Sequence, residues 1–303
     1  LDVFLHSAMK KTEFKADMDD AEKMHAGKFN DEYTVNQAIS WIKSSPKAPF
    51  CMFLSLQQSH FPYIVPEYYP KKFSPYILDF KIRYSEYMKP KADVMMNNYD
   101  NSLHYIDYQL GQLFKTLERE NLMKKTLIIL AGDHGEEFYE HDAACHGQHL
   151  YEEAVRVPLL VHAPGLLEPG IDRRPVQTID ISPTVLGLLK LPPHPNFQGR
   201  NLLDSNDLSL REIYLVSRAY PFRLQAIVKG TRKLIVDWSG SLELSRLYNL
   251  AKDPLEKDNI VLKEPAVALD LYMRLKKFME IQRAYYENPD MQTRYMPPSW
   301  NNM

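Results

Sequence analysis

A short segment near the middle of the 303-residue sequence concentrates the side chains that could do chemistry. Asp133 and His134 follow directly after an apolar run, and four of the ten histidines fall within sixteen residues. Further acids and histidines of this segment include Glu136, Glu137, His141, Asp142, His146 and His149. Carboxylate and imidazole groups are ligand types for a divalent metal. The alternative is a solvated loop that is merely rich in acids and histidines.

The strand that precedes this segment predicts where it lies. Residues 126–131 form a continuous apolar run of strand length, closed by Gly132. A run that is apolar on both faces is typical of a strand covered on both sides in an α/β sheet. In open α/β sheets, ligands bind outside the carboxyl ends of the strands. We therefore predict that Asp133 and His134 lie at the carboxyl end of a central parallel strand.

A second apolar run ends in another histidine. Residues 50–56 read as a strand, and His60 follows within a few residues, before Phe61 and Pro62. We predict that His60 faces one cleft together with Asp133, and that His146 and His149 face it too. The alternative for His60 is a histidine that caps a turn.

The central motifs resemble a known family. Residues 131–138 (AGDHGEEF) and 146–158 (HGQHLYEEAVRVP) are similar to sulfatases of the alkaline-phosphatase superfamily, and the resemblance runs from about residue 36 to residue 259. It implies that Asp133 and His134 bind one divalent metal, most often Ca²⁺, with Mn²⁺ as the alternative. It also implies a small anionic ester as substrate, carried by a carbohydrate, aryl or lipid group. A periplasmic, extracellular or membrane-attached location is typical of the family.

The same resemblance assigns roles to the histidines. His60 stands where sulfatases carry a histidine that contacts the sulfate ester. His146 stands one residue out of register with a family lysine that contacts the sulfate, so the roles of His146 and His149 stay open between them. We take His146 and His60 as catalytic candidates, and His60, His146 and His149 as substrate-binding candidates. Arg156 replaces a metal-binding histidine of two-zinc relatives and cannot be deprotonated to act as a ligand, which favours a single metal.

The family's nucleophile motif is not found in the 303 residues. Sulfatases use a formylglycine made from Cys or Ser within Cys/Ser-x-Pro-x-Arg, and neither residues 44–46 (SSP) nor residues 182–184 (SPT) provide it. We expect the chain to correspond to the carboxyl-terminal two-thirds of such an enzyme. The formylglycine and further metal-binding aspartates would then lie on an N-terminal part, and the chain alone would not turn over esters.

Two alternatives to a sulfatase remain open. One is a phosphoryl-transferring relative that uses Mn²⁺, such as a phosphodiesterase, a phosphonate monoester hydrolase, or a phosphoglycerol or phosphoethanolamine transferase. A plain threonine nucleophile would distinguish it from a sulfatase. The other is an inactive binding protein that kept the fold and lost the chemistry, and intact metal-binding aspartates upstream would argue against that class.

The pattern of apolar residues predicts an α/β fold with a mainly parallel sheet between helices. Residues 1–211 would form this domain, with amphipathic helices at 34–43 and 92–121. Residues 176–180 read as a further strand, followed by a helix capped by Ser182. Residues 212–303 would form a second subdomain. Short strands at 213–216, 224–228 and 233–236 predict a small antiparallel sheet over residues 212–259, followed by a helix at 265–283 and a polar tail.

Charge and composition argue against nucleic acid and a membrane span as features of this sequence. A net charge of −2 gives no electrostatic reason to expect nucleic acid, and no stretch approaches the roughly 18 apolar residues of a membrane span. Two cysteines make no disulfide framework. We predict that Cys51 is a core residue and Cys145 a packed loop thiol, and that Glu136 and Glu137 are solvated charges.

Overall fold

The computed structural model describes residues 30–44, 49–82, 84, 87–194, 197–204, 211–217, 224–237 and 241–287. The chain divides into two compact units. The first comprises residues 1–127 and 136–145, and the second comprises residues 128–135 and 146–303. The predicted domain boundary at residue 212 stays a prediction, and the predicted polar tail lies outside the described residues from 288 onward.

Two long helices build the first unit. Helix α1 spans Asp31–Ser44 and helix α2 spans Ala92–Arg119, as the periodicity of their apolar residues predicts, and the two helices pack together. Asn30 caps α1, because its side-chain oxygen accepts the Glu32 N–H at 2.9 Å. The buried Asp31 carboxylate accepts the N–H groups of Gln57 and Gln58, at 2.7 and 2.9 Å, which fixes the chain just before His60.

Helix α2 also holds the long tyrosine- and proline-rich loop that precedes it. The Asn101 side chain accepts the N–H groups of Lys72 and Phe73, at 2.7 and 3.0 Å, and donates to the Phe73 carbonyl at 2.9 Å. The Asn98 amide donates to the Tyr76 carbonyl at 2.8 Å. Both asparagines are buried. Since buried backbone groups need partners, these amides fix the path of the loop.

The segment before His60 differs from the prediction. Residues 50–56 form no strand in the described part of the chain, and Cys51 is exposed. Both the predicted strand and the predicted core position of Cys51 are therefore wrong. An apolar run becomes a strand only when a neighbouring strand supplies hydrogen-bond partners, and no other described segment pairs with this one.

A small hairpin inside the histidine-rich segment belongs to the first unit. Strands β2 (Glu137–Phe138) and β3 (Ala144–Cys145) pair antiparallel. Cys145 is fully buried, which confirms its prediction as a packed thiol. Glu136 and Glu137 are buried as well, at 7% and 0% exposure, so the prediction of solvated charges is wrong. The hairpin packs on an aromatic cluster that includes Phe61 and Tyr63, and burial, with Glu136 nearby, raises the pKa of the Tyr63 phenol.

The second unit begins with the strand before Asp133. Strand β1 (Ile128–Ala131) pairs with β4 (Leu159–His162), and Leu130 lies opposite Leu160. The two strands are antiparallel, so the prediction that Asp133 follows a parallel strand is wrong for this pair. The apolar run identifies the strand, but it carries no information about the direction of its neighbour. In the sequence, the short helix α3 (Glu152–Val155) comes shortly before strand β4.

A helical turn replaces the strand predicted at residues 176–180. Thr178–Asp180 is a 3₁₀ turn that leads into helix α4 (Ile181–Leu188). Gln177, rather than Ser182, caps this start, in a reciprocal box with Asp180. The Asp180 carboxylate is fully buried and forms a two-pronged ion pair with Arg211, with N–O distances of 2.6 and 2.8 Å. Since this partner lies 31 residues away, the local sequence pattern does not reveal the turn.

An antiparallel sheet completes the second unit, as predicted for residues 212–259. Its strands, in spatial order, are β5 (Glu212–Ser217), β6 (Leu224–Lys229), β7 (Arg232–Asp237) and β8 (Arg246–Asn249). Helix α5 (Pro265–Glu287) packs on one face through a cluster that includes Leu234 and Leu271. The other face packs on Leu150 and Tyr151. None of the helices in the described part of the chain has both the length and the apolar character to cross a membrane.

Candidate metal and anion site

Asp133 and His134 lie in the turn that follows strand β1. The His134 N–H donates to Asp133 Oδ1 at 2.9 Å. The Asp133 side chain is 90% exposed and that of His134 is 40% exposed. The carboxylate is therefore held through one oxygen by the backbone and is accessible to a cation.

A hydrogen bond of the His134 side chain determines which of its two ring nitrogens carries the proton in the neutral ring. His134 Nδ1 lies 2.8 Å from the Gly135 carbonyl oxygen. Because a carbonyl can only accept, Nδ1 must carry the proton and Nε2 the lone pair in the neutral ring. Nε2 lies 3.8 Å from Asp133 Oδ2. The imidazole nitrogen that carries the lone pair in the neutral ring is thus adjacent to a carboxylate oxygen, and both are atoms that bind metals.

The two later histidines of the segment have different neighbours. The rings of His134 and His146 lie 3.8 Å apart between centroids, at an interplanar angle of 33°. His149 lies against the Tyr151 ring instead, at 5.3 Å and 73°. The side chains of Asp133, His134 and His146 are therefore neighbours, and the His149 ring contacts Tyr151.

His60 belongs to the other compact unit. Its Nδ1 lies 2.8 Å from the Phe61 carbonyl oxygen, so its neutral ring carries the lone pair on Nε2, as in His134. This tautomer suits a group that accepts a hydrogen bond or binds a cation through Nε2. The predicted position of His60 beside Asp133 stays a prediction.

Backbone contacts that sequence reasoning missed support the turn at Asp133 and His134, which we call the metal-ligand turn because these two residues are the predicted ligands. The Gly135 N–H donates to the Ala154 carbonyl in helix α3, at 2.8 Å. Ser217, at the end of strand β5, donates its hydroxyl to the Gly147 carbonyl at 2.6 Å. No local sequence signal could identify these partners, since one is a main-chain carbonyl and the other a single serine seventy residues away.

We expect Gly135→Ala to displace this turn. A Cβ atom at position 135 would lie 2.0 Å from the backbone oxygen of Glu153, and a backbone atom cannot rotate out of the way. The variant should lower the midpoint of urea unfolding and weaken divalent-ion binding. Gly111→Ala is the control, because its Cβ meets no atom within 4 Å and alanine stabilises a helix interior by about 0.5–1 kcal/mol relative to glycine. Equal midpoints for the two variants would contradict the expected clash.

The donors at this turn fit part of a divalent-metal site. Asp133 offers an anionic oxygen and His134 a neutral nitrogen, a pair that suits several divalent cations. Within the residues that the structure describes, no group of three or more His, Cys, Asp or Glu side chains could hold a metal ion. Asp133 and His134 would therefore supply two ligands, and a complete coordination shell needs further donors.

Comparison with protein families matches most of the chain. The family model described as Sulfatase matches residues 4–191, and the model described as N-sulphoglucosamine sulphohydrolase, C-terminal, matches residues 140–284. Together the two matches include the Asp133 turn, helix α3 and the antiparallel sheet.

Curated relatives carry sulfatase names. Human arylsulfatase K is 28% identical over 182 residues, which cover 56% of this chain and 34% of the relative. Chicken arylsulfatase K is 26% identical over 297 residues, covering 80% of this chain and 54% of the relative. An endo-4-O-sulfatase of Bacteroides thetaiotaomicron is 29% identical over 182 residues, covering 54% and 35%. The chain thus spans about a third to a half of the length of these relatives.

Solved structures show the same fold at low identity. A Bacteroides fragilis protein assigned as a sulfatase has a TM-score of 0.68 at 20% identity, covering 90% of this chain and 62% of its own. The phosphonate monoester hydrolase of Agrobacterium radiobacter has a TM-score of 0.65 at 19% identity, covering 84% and 62%. A structure solved with its substrate D-glucosamine-2-N,6-O-disulfate has a TM-score of 0.53 at 22% identity, covering 66% and 42%. The fold is alkaline-phosphatase-like, and because the Sulfatase model matches more than half of its residues, the chain belongs to the sulfatase family.

Proposed function

We propose that the protein carrying this chain hydrolyses sulfate esters at a divalent-metal site that includes Asp133 and His134. The observation that carries the proposal is the grouping of Asp133, His134 and His146 within the region matched by the Sulfatase family model. For the complete protein, the proposal retains the mainly parallel sheet between helices, with residues 212–303 as a C-terminal subdomain.

Charge dominates the chemistry of such a substrate. A sulfate ester is already anionic, and a bound divalent metal neutralises its oxygens and orients the nucleophile. Asp133 would hold the ion through its exposed carboxylate. His134 would hold it through Nε2, while the Gly135 carbonyl keeps the proton on Nδ1. Sulfatases generally use a divalent metal, and the ion proposed here is Ca²⁺, with Mn²⁺ as the alternative.

The remaining histidines would bind the ester and transfer protons. His146, beside His134, would donate a hydrogen bond to a sulfate oxygen and, in its protonated form, a proton to the departing oxygen. His60 and His149 would hold further sulfate oxygens. His60 is the second catalytic candidate, since its Nε2 could accept a proton in one step and return it in another.

The nucleophile is proposed from the family rather than from these residues. Sulfatases generally carry a formylglycine, and the 303 residues contain no Cys/Ser-x-Pro-x-Arg sequence. We therefore expect the isolated chain to show no turnover, because a nucleophile must lie within about 3–3.5 Å of the reacting atom. Metal-dependent turnover by the isolated 303 residues would contradict a nucleophile outside them.

The names of relatives support a sulfated carbohydrate as substrate. One relative is named ulvan-active sulfatase, after a polysaccharide, and one fold relative was solved with a disulfated glucosamine. These facts describe those proteins, and for this chain they define which compounds to test first. Aryl and lipid sulfates remain as further substrate classes.

Matched ester pairs test the proposed reaction. The complete protein is incubated with p-nitrophenyl sulfate, p-nitrophenyl phosphate and sulfated disaccharides, with Ca²⁺, with Mn²⁺ and with EDTA. We expect sulfate release that requires the metal and little phosphate release. Faster phosphate release with Mn²⁺ would favour the phosphoryl-transferring alternative. Binding of the sulfated sugar without release of either anion would favour an inactive binding protein.

A further inference from the structure

A buried lysine stands on the face of the antiparallel sheet that packs on Leu150 and Tyr151. Side chains alternate between the faces of a strand. In strand β7, Leu234 packs on the helix α5 side, whereas Ile235 belongs to the cluster with Leu150 and Tyr151. Lys233 shares the face of Ile235, and its side chain is 0% exposed. An ammonium group in an apolar layer needs charged partners.

Two glutamates surround this lysine. Lys233 Nζ lies 2.9 Å from Glu152 Oε1 and 3.0 Å from Glu256 Oε1. Glu256 is fully buried, and its other oxygen accepts the Glu152 N–H at 2.6 Å. Burial raises the pKa of the Glu256 carboxyl, and the Lys233 ammonium opposes that rise. The three side chains form one ion cluster, in which Lys233 and Glu256 are fully buried and Glu152 is 24% exposed, and which we call the Lys233 cluster.

The Lys233 cluster connects to the metal-ligand turn through a short chain of bonds. Glu152 is the first residue of helix α3. The Ala154 carbonyl in the same single-turn helix accepts the Gly135 N–H. Gly135 follows His134 directly, and its own carbonyl holds the His134 ring. A helix of four residues has little intrinsic stability, so its position depends on what holds its first residue.

We propose that Lys233 is a positioning residue for the metal-ligand turn, acting through Glu152 and helix α3 on Gly135. Lys233 pairs directly with the Glu152 side chain, and it also pairs with Glu256, whose carboxylate accepts the Glu152 N–H. Both contacts fix the first residue of α3. The Ala154 carbonyl then stays where it receives the Gly135 N–H, and the Asp133–His134 turn keeps its geometry. The effect on metal binding rests on the proposed function, whereas the effect on the Gly135 amide does not.

Two variants separate positioning from stability. Lys233→Met keeps the length of the side chain and removes the charge. Glu152→Ala removes one ion pair but leaves Lys233 with Glu256, so it folds even where the first variant is too unstable. The matched control is Leu271→Ala, which opens a cavity on the opposite face of the same sheet and is chosen for its loss of thermal stability.

Hydrogen–deuterium exchange of the complete protein is the primary measurement. We expect exchange in the peptide containing Gly135 to be about 2- to 30-fold faster in Lys233→Met, which corresponds to the range of 0.5–2 kcal/mol seen for coupling mutations. Exchange in this peptide should increase less in Glu152→Ala. It should not increase in Leu271→Ala, even when this variant has lost as much thermal stability as the cluster variants. Unchanged exchange in both cluster variants, or equal acceleration in Leu271→Ala, would overturn the proposal.

Calorimetric titration with CaCl₂ is the second measurement. The dissociation constant should rise most in Lys233→Met, less in Glu152→Ala, and stay constant in Leu271→Ala. A wild-type protein that binds no Ca²⁺ would overturn the proposed metal site, and the exchange result would then decide the role of Lys233 alone. Loss of Ca²⁺ affinity in all three variants alike would show a structural role only.

Discussion

Replacing Asp133 by alanine is expected to remove divalent-ion binding and nearly all turnover of the complete protein. The exposed carboxylate is the anionic donor at the turn, and His134 alone offers a single neutral nitrogen. A metal ion supplies several kcal/mol of charge stabilisation in the transition state. Since 1.36 kcal/mol corresponds to a factor of ten, kcat should fall by about 10³-fold or more. Steady-state kinetics over a range of Ca²⁺ concentrations would measure the loss.

An exposed aspartate elsewhere in the same unit provides the control. Asp258 pairs with Lys263 at 2.9 Å, and both side chains are more than 60% exposed. Asp258→Ala should leave kcat and the Ca²⁺ requirement unchanged. Circular dichroism should show that Asp133→Ala remains folded, because the carboxylate is 90% exposed and accepts a hydrogen bond from the backbone of the next residue. Near-normal, Ca²⁺-dependent turnover in Asp133→Ala would exclude Asp133 as an essential ligand.

The largest effect on stability is expected at Asp180. Its buried carboxylate pairs with Arg211 and also accepts the N–H groups of Gln177 and Arg200, both at 2.8 Å. Asp180→Ala would leave a guanidinium group that is 4% exposed without its counter-charge. Removing one partner of a buried ion pair costs about 3–5 kcal/mol. The free energy of urea unfolding should fall by that amount.

The sequence contains a second Asp–Arg pair that serves as a comparison. Asp172 and Arg174 lie 2.7 Å apart, but their side chains are 46% and 35% exposed. Such pairs contribute about 0–1 kcal/mol, so Asp172→Ala should change the unfolding free energy little. The double variant Asp180→Leu/Arg211→Met should recover part of the loss, because no unpaired charge remains. Similar losses in Asp180→Ala and Asp172→Ala would show that burial does not determine the effect.

Elements whose apolar period is long and regular were predictable from sequence. Helix α2 follows its pattern closely because it presents one apolar stripe to its core, and strands β5 to β7 follow theirs because the sheet packs between two apolar clusters. The direction of strand β4 was not predictable, since it depends on how the chain returns after the Asp133 turn. The helical turn at Asp180 was missed because Arg211, its main partner, lies far away in sequence.

In the candidate site too, features that depend on nearby residues were predictable, and features that depend on residues far away in the sequence were not. Residue type and spacing, together with the resemblance to sulfatases, pointed to Asp133, His134 and His146, and the structure brings these three together. His149 was predicted to belong to the same group; its ring lies 5.3 Å from that of Tyr151, and its place in the site stays a prediction. Glu136 and Glu137 are buried, and the hairpin that contains Glu137 packs on an aromatic cluster that includes Tyr63. Because Tyr63 lies far earlier in the sequence, no local pattern near residue 136 indicates this packing.

The hydrogen bonds between helix α2 and the loop that precedes it have a consequence for which residues of the loop can change during evolution. Asn98 and Asn101 bond to the main chain of Lys72, Phe73 and Tyr76, and they do not bond to the side chains of these residues. Any residue with a free N–H could occupy position 72 or 73 without losing these bonds. Selection, or a mutant library, can therefore exchange the exposed side chains of this loop while its backbone path is inherited unchanged.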